Sequence, residues 1–181
     1  MKKIFAMLLA VVMMFSLVAC GGKTAEPTTA PTDATVKVEG TMEELLNKVV
    51  EINPVEFMGG TMPIDLTDTS EDGLWNIKYN TGLDSAEGLT DAAVFGPMMG
   101  SMAFSMVMVR TAEGTDVKTV AEGMKNGIDP RKWICVEADD VQVVSFGDVV
   151  MLIMVDSTSG LTSQSFVDAF AQVCGGSVTT Y

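Results

Sequence analysis

The chain has 181 residues, 48% of them hydrophobic, with 11 basic and 24 acidic residues and a formal net charge of −13. This charge disfavours nucleic acid and anionic lipid headgroups as partners, because both would be repelled. Histidine is absent, which removes the commonest general base and the commonest metal ligand together.

Residues 1–19 have the organisation of a lipoprotein signal peptide. Lys2-Lys3 precedes an apolar segment, Ile4–Val18, in the pattern of a secretory signal. The sequence Leu17-Val18-Ala19-Cys20 resembles the bacterial lipobox, whose cysteine becomes the lipidated first residue of the mature protein. We therefore expect lipidation of Cys20 and an extracytoplasmic protein anchored to the cell membrane. Plain secretion and an uncleaved anchor are the alternatives, but the apolar segment is shorter than the ~20 residues that span a bilayer.

The next part of the chain predicts a tether over residues 20–39 and a single domain over residues 40–181. The segment from Gly21 to Glu39 is rich in Thr, Ala, Pro, Lys and Gly and has no apolar period, which is typical of a disordered linker. Loss of Lys2-Lys3 with the signal would bring the net charge to −15. The remaining length suits one domain with a hydrophobic core.

The domain begins with two predicted helices. The first starts at Thr41, because Thr41 and Glu44 form a capping-box pattern. It ends before Pro54. The second covers about residues 71–79, with Ser70 as its cap. The residues between them, including Gly59-Gly60 and Pro63, are predicted to form a loop.

A β-β-α unit follows. Ala92–Met98 is predicted to be an edge strand because Pro97 cannot donate to a ladder, and Met102–Arg110 is predicted to be the next strand. Gly100-Ser101 between them suits a tight type II′ turn. An apolar face at helical spacing then predicts a helix that ends at Gly127.

The same order recurs towards the C-terminus. Val141–Phe146 and Val149–Val155 flank a second Gly-first turn, Gly147-Asp148, and a helix ending at Gly175-Gly176 follows. Val149–Val155 is apolar on both strand faces, which predicts a central strand. The fold class is therefore α+β: an antiparallel four-stranded sheet from two β-β-α units, preceded by two N-terminal helices. We expect both C-terminal helices on one face, and the N-terminal helices or a partner protein on the other.

Together, these motifs resemble a known family. The lipobox and tether are followed by Gly96-Pro97-Met98-Met99 at a strand end and by the hairpin Ser145-Phe146-Gly147-Asp148. The pattern resembles an uncharacterised family of small lipoproteins from Gram-positive anaerobes, known as a domain of unknown function. The chain departs from that pattern after the middle helix, where Gly123, Gly127 and Pro130 replace a longer charged helix. The resemblance implies fold and location and transfers no site.

Five methionines between residues 98 and 108 form a candidate copper-binding site. Thioethers are ligands for Cu(I), but alternation along a strand places Met102, Met106 and Met108 on one face, as a core strand requires. We therefore predict that the cluster, which also includes Met98 and Met99, is core, with copper binding as the alternative.

A calcium loop is a second candidate. Asp68, Ser70 and Asp72 precede Gly73 at the spacing of a calcium-binding loop, but Tyr79 stands where the bidentate glutamate should be. The simpler interpretation is a helix start, where acidic side chains are favoured.

Catalytic and redox signatures are weak. Asp139 and Asp140 are adjacent, so on a strand or turn their side chains should point apart. Cys135 and Cys174 could form a disulfide outside the cytoplasm, or remain as separate buried thiols. The chain has no Gly-x-Ser-x-Gly motif and no histidine to activate a serine nucleophile, and two cysteines without histidine make a poor zinc site.

The sequence therefore predicts a non-catalytic binding or accessory lipoprotein, held at the membrane through Cys20. Its partner is an unidentified protein, wall component or small molecule, and no catalytic, cofactor or metal residue is assigned. The alternative is a hydrolase that uses carboxylates alone on cell-envelope glycans. An exposed apolar patch would favour the first function, and a pocket with two close carboxylates the second.

Overall fold

The computed structural model describes residues 36–181. The predicted signal peptide, the lipidation site Cys20 and the tether up to residue 35 lie outside the described residues. The domain is α+β, with helices on both faces of one antiparallel sheet. The helices are α1 Met42–Ile52, α2 Glu71–Thr81, α3 Val117–Gly127 and α4 Ser163–Cys174, and the strands are β1 Gly59–Pro63, β2 Leu89–Pro97, β3 Phe104–Thr111, β4 Asp140–Phe146, β5 Val149–Val155 and β6 Thr179–Thr180.

The sheet has six strands in the order β1-β2-β3-β5-β4-β6, so the four-stranded prediction is wrong. The two additional strands are the outermost ones. β1 lies in the predicted Gly59–Pro63 loop, where glycine and proline hide the strand because both are depleted in strands. β6 has two residues, which is too short to show a period. Both strands form because the neighbouring strand offers unpaired backbone groups.

The prediction of an edge position for β2 is also wrong, because β1 pairs along its outer side. Pro97 is tolerated because it stands at the end of the strand. Pairing with β3 stops at Phe95, and on the other side Met98, not Pro97, donates its N–H to the Met58 carbonyl at 3.0 Å. No ladder bond therefore requires a donor at residue 97.

The central position of β5 is confirmed. It lies between β3 and β4, and all seven of its residues are buried. The hairpin between β4 and β5 has the predicted two-residue turn, with Gly147 at φ +56°. The turn predicted at Gly100-Ser101 is wrong, because six residues separate Pro97 from Phe104 and Gly100 has no positive φ.

The C-terminal helices lie on opposite faces of the sheet, which corrects the predicted shared face. α4 packs with α1 over one face, and α3 packs with α2 over the other. The strand order explains this arrangement. α3 connects β3 to the parallel strand β4 across β5, and α4 connects β5 to the parallel strand β6 across β4. Both connections move in the same direction across the sheet, but they start from strands that run in opposite directions. Since connections between parallel strands are right-handed, α3 and α4 must lie on opposite faces.

The helix boundaries follow the predicted caps closely. Thr41 and Glu44 form the predicted capping box at the start of α1. Ser70 caps α2, and Gly175 ends α4 in the left-handed conformation. These ends are set by local backbone needs, which side chains near in sequence can meet.

Contacts with the N-terminal segment extend back before residue 40. Asp148, in the β4–β5 turn, donates its backbone N–H to the Val36 carbonyl, and its Oδ1 accepts from the Val38 N–H at 2.9 Å. Arg110 pairs with the Asp148 carboxylate at 2.5 Å and donates to the Gly40 carbonyl at 2.6 Å. The carboxylate therefore ties this segment to the hairpin.

Candidate functional site

The feature that most resembles a binding site is a cleft of about 210 Å³ at the end of β2 and β3, on the face that carries α2 and α3. It lies where the connection from α3 to β4 passes α2. We call it the Lys132 cleft. Its lining includes Met62, Tyr79, Pro97, Met99, Ser105, Lys132 and Trp133.

Two glycines bring the walls of the cleft together. A Cβ added at Gly127 would lie 2.0 Å from the Gly82 carbonyl oxygen, so the C-terminal ends of α2 and α3 meet backbone to backbone. Gly82 also caps α2 at φ +80°, which favours glycine. This contact places Tyr79, in the last turn of α2, beside the connection that carries Lys132.

Lys132 is the central polar group of the cleft. Its Nζ donates to the Tyr79 carbonyl at 3.1 Å and to the Ser105 hydroxyl at 3.2 Å. It also lies 4.7 Å from the Tyr79 ring centroid and 5.3 Å from that of Trp133, within cation–π range. Burial lowers the pKa of Lys132 to about 8, although nearby Asp129 opposes this shift. A perturbed lysine in an apolar cleft is a candidate binding group.

An aromatic surface adjoins the cleft. Trp75 stacks on Tyr79 with 4.8 Å between ring centroids, and Trp75 is 62% exposed. A neighbouring depression of about 370 Å³ is lined by this pair together with Lys78, Arg131 and Lys132 and with one acidic residue, Asp129. Three basic side chains therefore gather at one place on a strongly acidic chain, with exposed aromatic rings beside them. Such rings are enriched where proteins bind ligands and partners.

The methionine cluster divides into two groups. Met106 and Met108 are fully buried in the core and Met102 packs against it, which confirms the prediction for these three. For Met98 and Met99 the core prediction is wrong, because they are 71% and 72% exposed. Both follow the end of β2, beyond its pairing with β3, so the alternation of that strand does not apply to them. Met58 and Met62 are also exposed and extend this apolar corner to β1.

The acidic residues are engaged in local hydrogen bonds. Asp139 accepts from the Ser157 N–H and hydroxyl, which lowers the pKa of Asp139. Asp140 accepts instead from the N–H and hydroxyl of Ser163 at the start of α4. The adjacent carboxylates therefore point to different partners, as predicted. Four cavities formed by the described residues each have at most one carboxylate in their lining.

The predicted calcium loop forms the start of α2. Asp68 accepts from the Ser70 N–H at 2.9 Å, and Ser70 accepts from the Gly73 N–H at 3.1 Å. The serine hydroxyl and its N–H lower the pKa of Asp68. Within residues 36–181, no group of three or more acidic or cysteine side chains is arranged to hold a metal ion.

Cys135 and Cys174 are separate free thiols. Cys174 is partly buried, and burial raises its pKa to about 12, with a further contribution from Asp148. Cys135 is exposed and has a φ of +65°, so the prediction of a buried thiol is wrong at this position. Its turn conformation holds it at the surface.

A cavity larger than the Lys132 cleft lies elsewhere among the described residues. It has a volume of about 550 Å³ and opens among the loops beside α1 and α4, with Phe57, Met102 and Leu161 in its lining. Glu56 is the charged side chain that lines it among the described residues. It lacks the combination of a buried charge and aromatic walls that distinguishes the Lys132 cleft.

Sequence reasoning did not identify the Lys132 cleft. The segment Asp129-Pro130-Arg131-Lys132-Trp133 is visible only as a turn, and Tyr79 and Ser105 are remote from it in the chain. A basic pair followed by tryptophan was the one available signal. The cleft itself depends on the contact between Gly82 and Gly127.

Comparison of the chain with protein-family models, with curated proteins and with solved structures gave no match. Within residues 36–181, no helix combines the length and the apolar character needed to cross a bilayer.

Proposed function

We propose that the protein is an extracytoplasmic lipoprotein, anchored through Cys20, that binds a ligand at the Lys132 cleft without catalysing a reaction on it. The lipobox sequence Leu17-Val18-Ala19-Cys20 supports the anchor and the location. We also propose that the protein belongs to the uncharacterised lipoprotein family described above. The lipobox, the tether and the motifs Gly96-Pro97-Met98-Met99 and Ser145-Phe146-Gly147-Asp148 support this assignment.

The observation that carries the binding role is the Lys132 cleft itself. It combines apolar and aromatic walls with a small number of polar groups, which is the usual composition of a ligand site. The exposed apolar corner next to it, formed by Met58, Met62, Met98 and Met99, also favours binding over hydrolysis. A glycan hydrolase would need two carboxylates in one pocket, whereas four cavities formed by the described residues each have at most one carboxylate in their lining, so we do not propose that activity.

The anchor is tested by Cys20→Ala in the native cell. We expect the wild-type protein in the membrane fraction and the variant in the medium or as an unprocessed precursor. The variant lacks the residue that would carry the acyl chains, and two chains on one residue give far stronger attachment than one. Membrane fractionation and intact mass are the measurements. Ser101→Ala is the matched control and should fractionate as the wild type does. Equal fractionation and mass of the Cys20 variant and the wild type would contradict the anchor.

A further inference from the structure

We propose that the Lys132 cleft binds a small apolar carboxylate, either as a free acid or as the carboxyl terminus of a peptide. This inference rests on the proposed binding function and names the chemical class of the ligand.

The charge of Lys132 has no salt-bridge partner among the described residues, although Asp129 lies near enough to favour its charged form. Its Nζ donates to two neutral acceptors, the Tyr79 carbonyl and the Ser105 hydroxyl, whereas an ammonium group has three donors. Among the described residues, no carboxylate oxygen lies within the 4.0 Å salt-bridge limit of this nitrogen. Because a poorly solvated cation is costly without an anion, a ligand carboxylate would supply both the charge and the third acceptor.

The neighbouring basic side chains do not compete for this anion. Lys78 pairs with Asp84 at 2.6 Å, and Arg131 pairs with Glu137 at 3.0 Å. Among the described residues, Lys132 is therefore the cation of this cluster that makes no salt bridge, and Asp129 acts on it only from beyond the salt-bridge distance. A single negative charge matches it better than a phosphate dianion, which proteins usually bind with several cations or an arginine fork.

The walls and size of the cleft define the rest of the ligand. Met62, Met99, Pro97 and Trp133 present apolar surface beside the ammonium, and methionine adapts well to ligands of varied shape. The volume of about 210 Å³ is below the ~300–1,000 Å³ of cavities for drug-sized molecules. The cleft therefore suits one short acid, or one terminal residue with an apolar side chain.

The test measures binding of defined probes to the full chain in phosphatidylcholine nanodiscs, by ligand-observed NMR. The probes are 3-phenylpropionate, its neutral amide, and N-acetyl-Ala-Phe with a free or an amidated carboxyl terminus. We expect saturable binding of at least one free acid, and a loss of about tenfold or more for its amide. Preference for the phenylpropionate or for the peptide distinguishes the two sources of the carboxylate.

Variants locate the site. Lys132→Met retains the apolar stem and should lose about tenfold or more in affinity for the acid, whereas Lys118→Met removes an exposed lysine of α3 and should stay within about twofold. Met62→Glu adds a negative charge at the rim, at a side chain that is 59% exposed, and should also weaken binding. Its control is Met58→Glu, at a 77% exposed residue of the same corner that does not line the cleft.

Several outcomes would overturn the inference. One is equal affinity for an acid and its amide. Another is unchanged affinity for the acid in both Lys132→Met and Met62→Glu. The third is no saturable binding of either acid. The Cys20→Ala experiment is independent of these results. Anchorage without carboxylate binding would reject only the ligand class. Failure of the anchor would reject the proposed location, and the same probes would then be measured on the full chain without nanodiscs.

Discussion

Lys132 has an environment unlike that of a surface lysine. Its ammonium group lies within cation–π distance of two aromatic rings and donates to neutral oxygens. Water would solvate the charge better than this surrounding does, so the charged form is disfavoured in the folded protein. This one side chain therefore couples the protonation state of the cleft to its capacity to bind an anion.

Lys132 should titrate with a midpoint near pH 8 in the folded protein, as burial lowers its pKa to about 8 from 10.5. The unfolded chain then binds more protons than the folded one between these values. The contribution of Lys132 to stability should therefore rise as pH increases through that window, and its cost should be fully present below it. Lysine NMR measures the midpoint, and Lys132→Met should flatten the rise in unfolding free energy. A Lys132 midpoint close to 10.5 would contradict the prediction.

At the scale of the elements, the contact between the C-terminal ends of α2 and α3 holds the walls of the Lys132 cleft together. Gly127→Ala should destabilise the protein and open the cleft, because the new Cβ would lie 2.0 Å from the Gly82 carbonyl oxygen. We expect a loss of about 1–3 kcal/mol, the usual cost of overpacking. Denaturant unfolding and the quenching of Trp133 by iodide measure the two effects.

Gly100→Ala is the control for that variant. Its added Cβ would have no atom within 4 Å, so stability should change by less than about 0.5 kcal/mol. Equal effects of the two substitutions would show that the contact between α2 and α3 does not hold the cleft together.

The β4–β5 turn carries a second prediction at this scale. Asp148→Ala should destabilise the protein by about 3–5 kcal/mol, because it leaves the largely buried Arg110 without its partner. The aspartate and arginine side chains are only 4% and 17% exposed. Asp84→Ala breaks the exposed pair with Lys78 and should cost about 0–1 kcal/mol. Chemical denaturation compares the two variants, and similar losses would contradict a structural role for the Asp148 carboxylate.

At the scale of the whole molecule, one sheet separates two cores. Met124 of α3 and Phe166 of α4 belong to different clusters on opposite faces. Their replacement by alanine should therefore be additive in unfolding free energy, within about 0.5 kcal/mol. The control pair is Phe104 and Phe166, whose rings meet edge to face at 5.2 Å and should couple. Coupling of Met124 with Phe166 as strong as that of the control pair would refute the two-sided architecture.

The sequence by itself determined the features that depend on near neighbours. Thr41 and Ser70 begin helices and Gly175 ends one where predicted, because the backbone groups at a helix terminus are satisfied by side chains and glycines close to it in the chain. The all-apolar Val149–Val155 segment identified the central strand, because only a strand covered on both faces can bury both sets of side chains.

Only the tertiary structure decided the features that join distant parts of the chain. The strand nature of Gly59–Pro63 depends on pairing with β2, and the opposite placement of α3 and α4 depends on strand order together with crossover handedness. The cleft requires Tyr79, Ser105 and Lys132 to meet across a contact between two glycines. No periodicity or local propensity encodes such a meeting, because its energy comes from packing between elements that are separate in sequence.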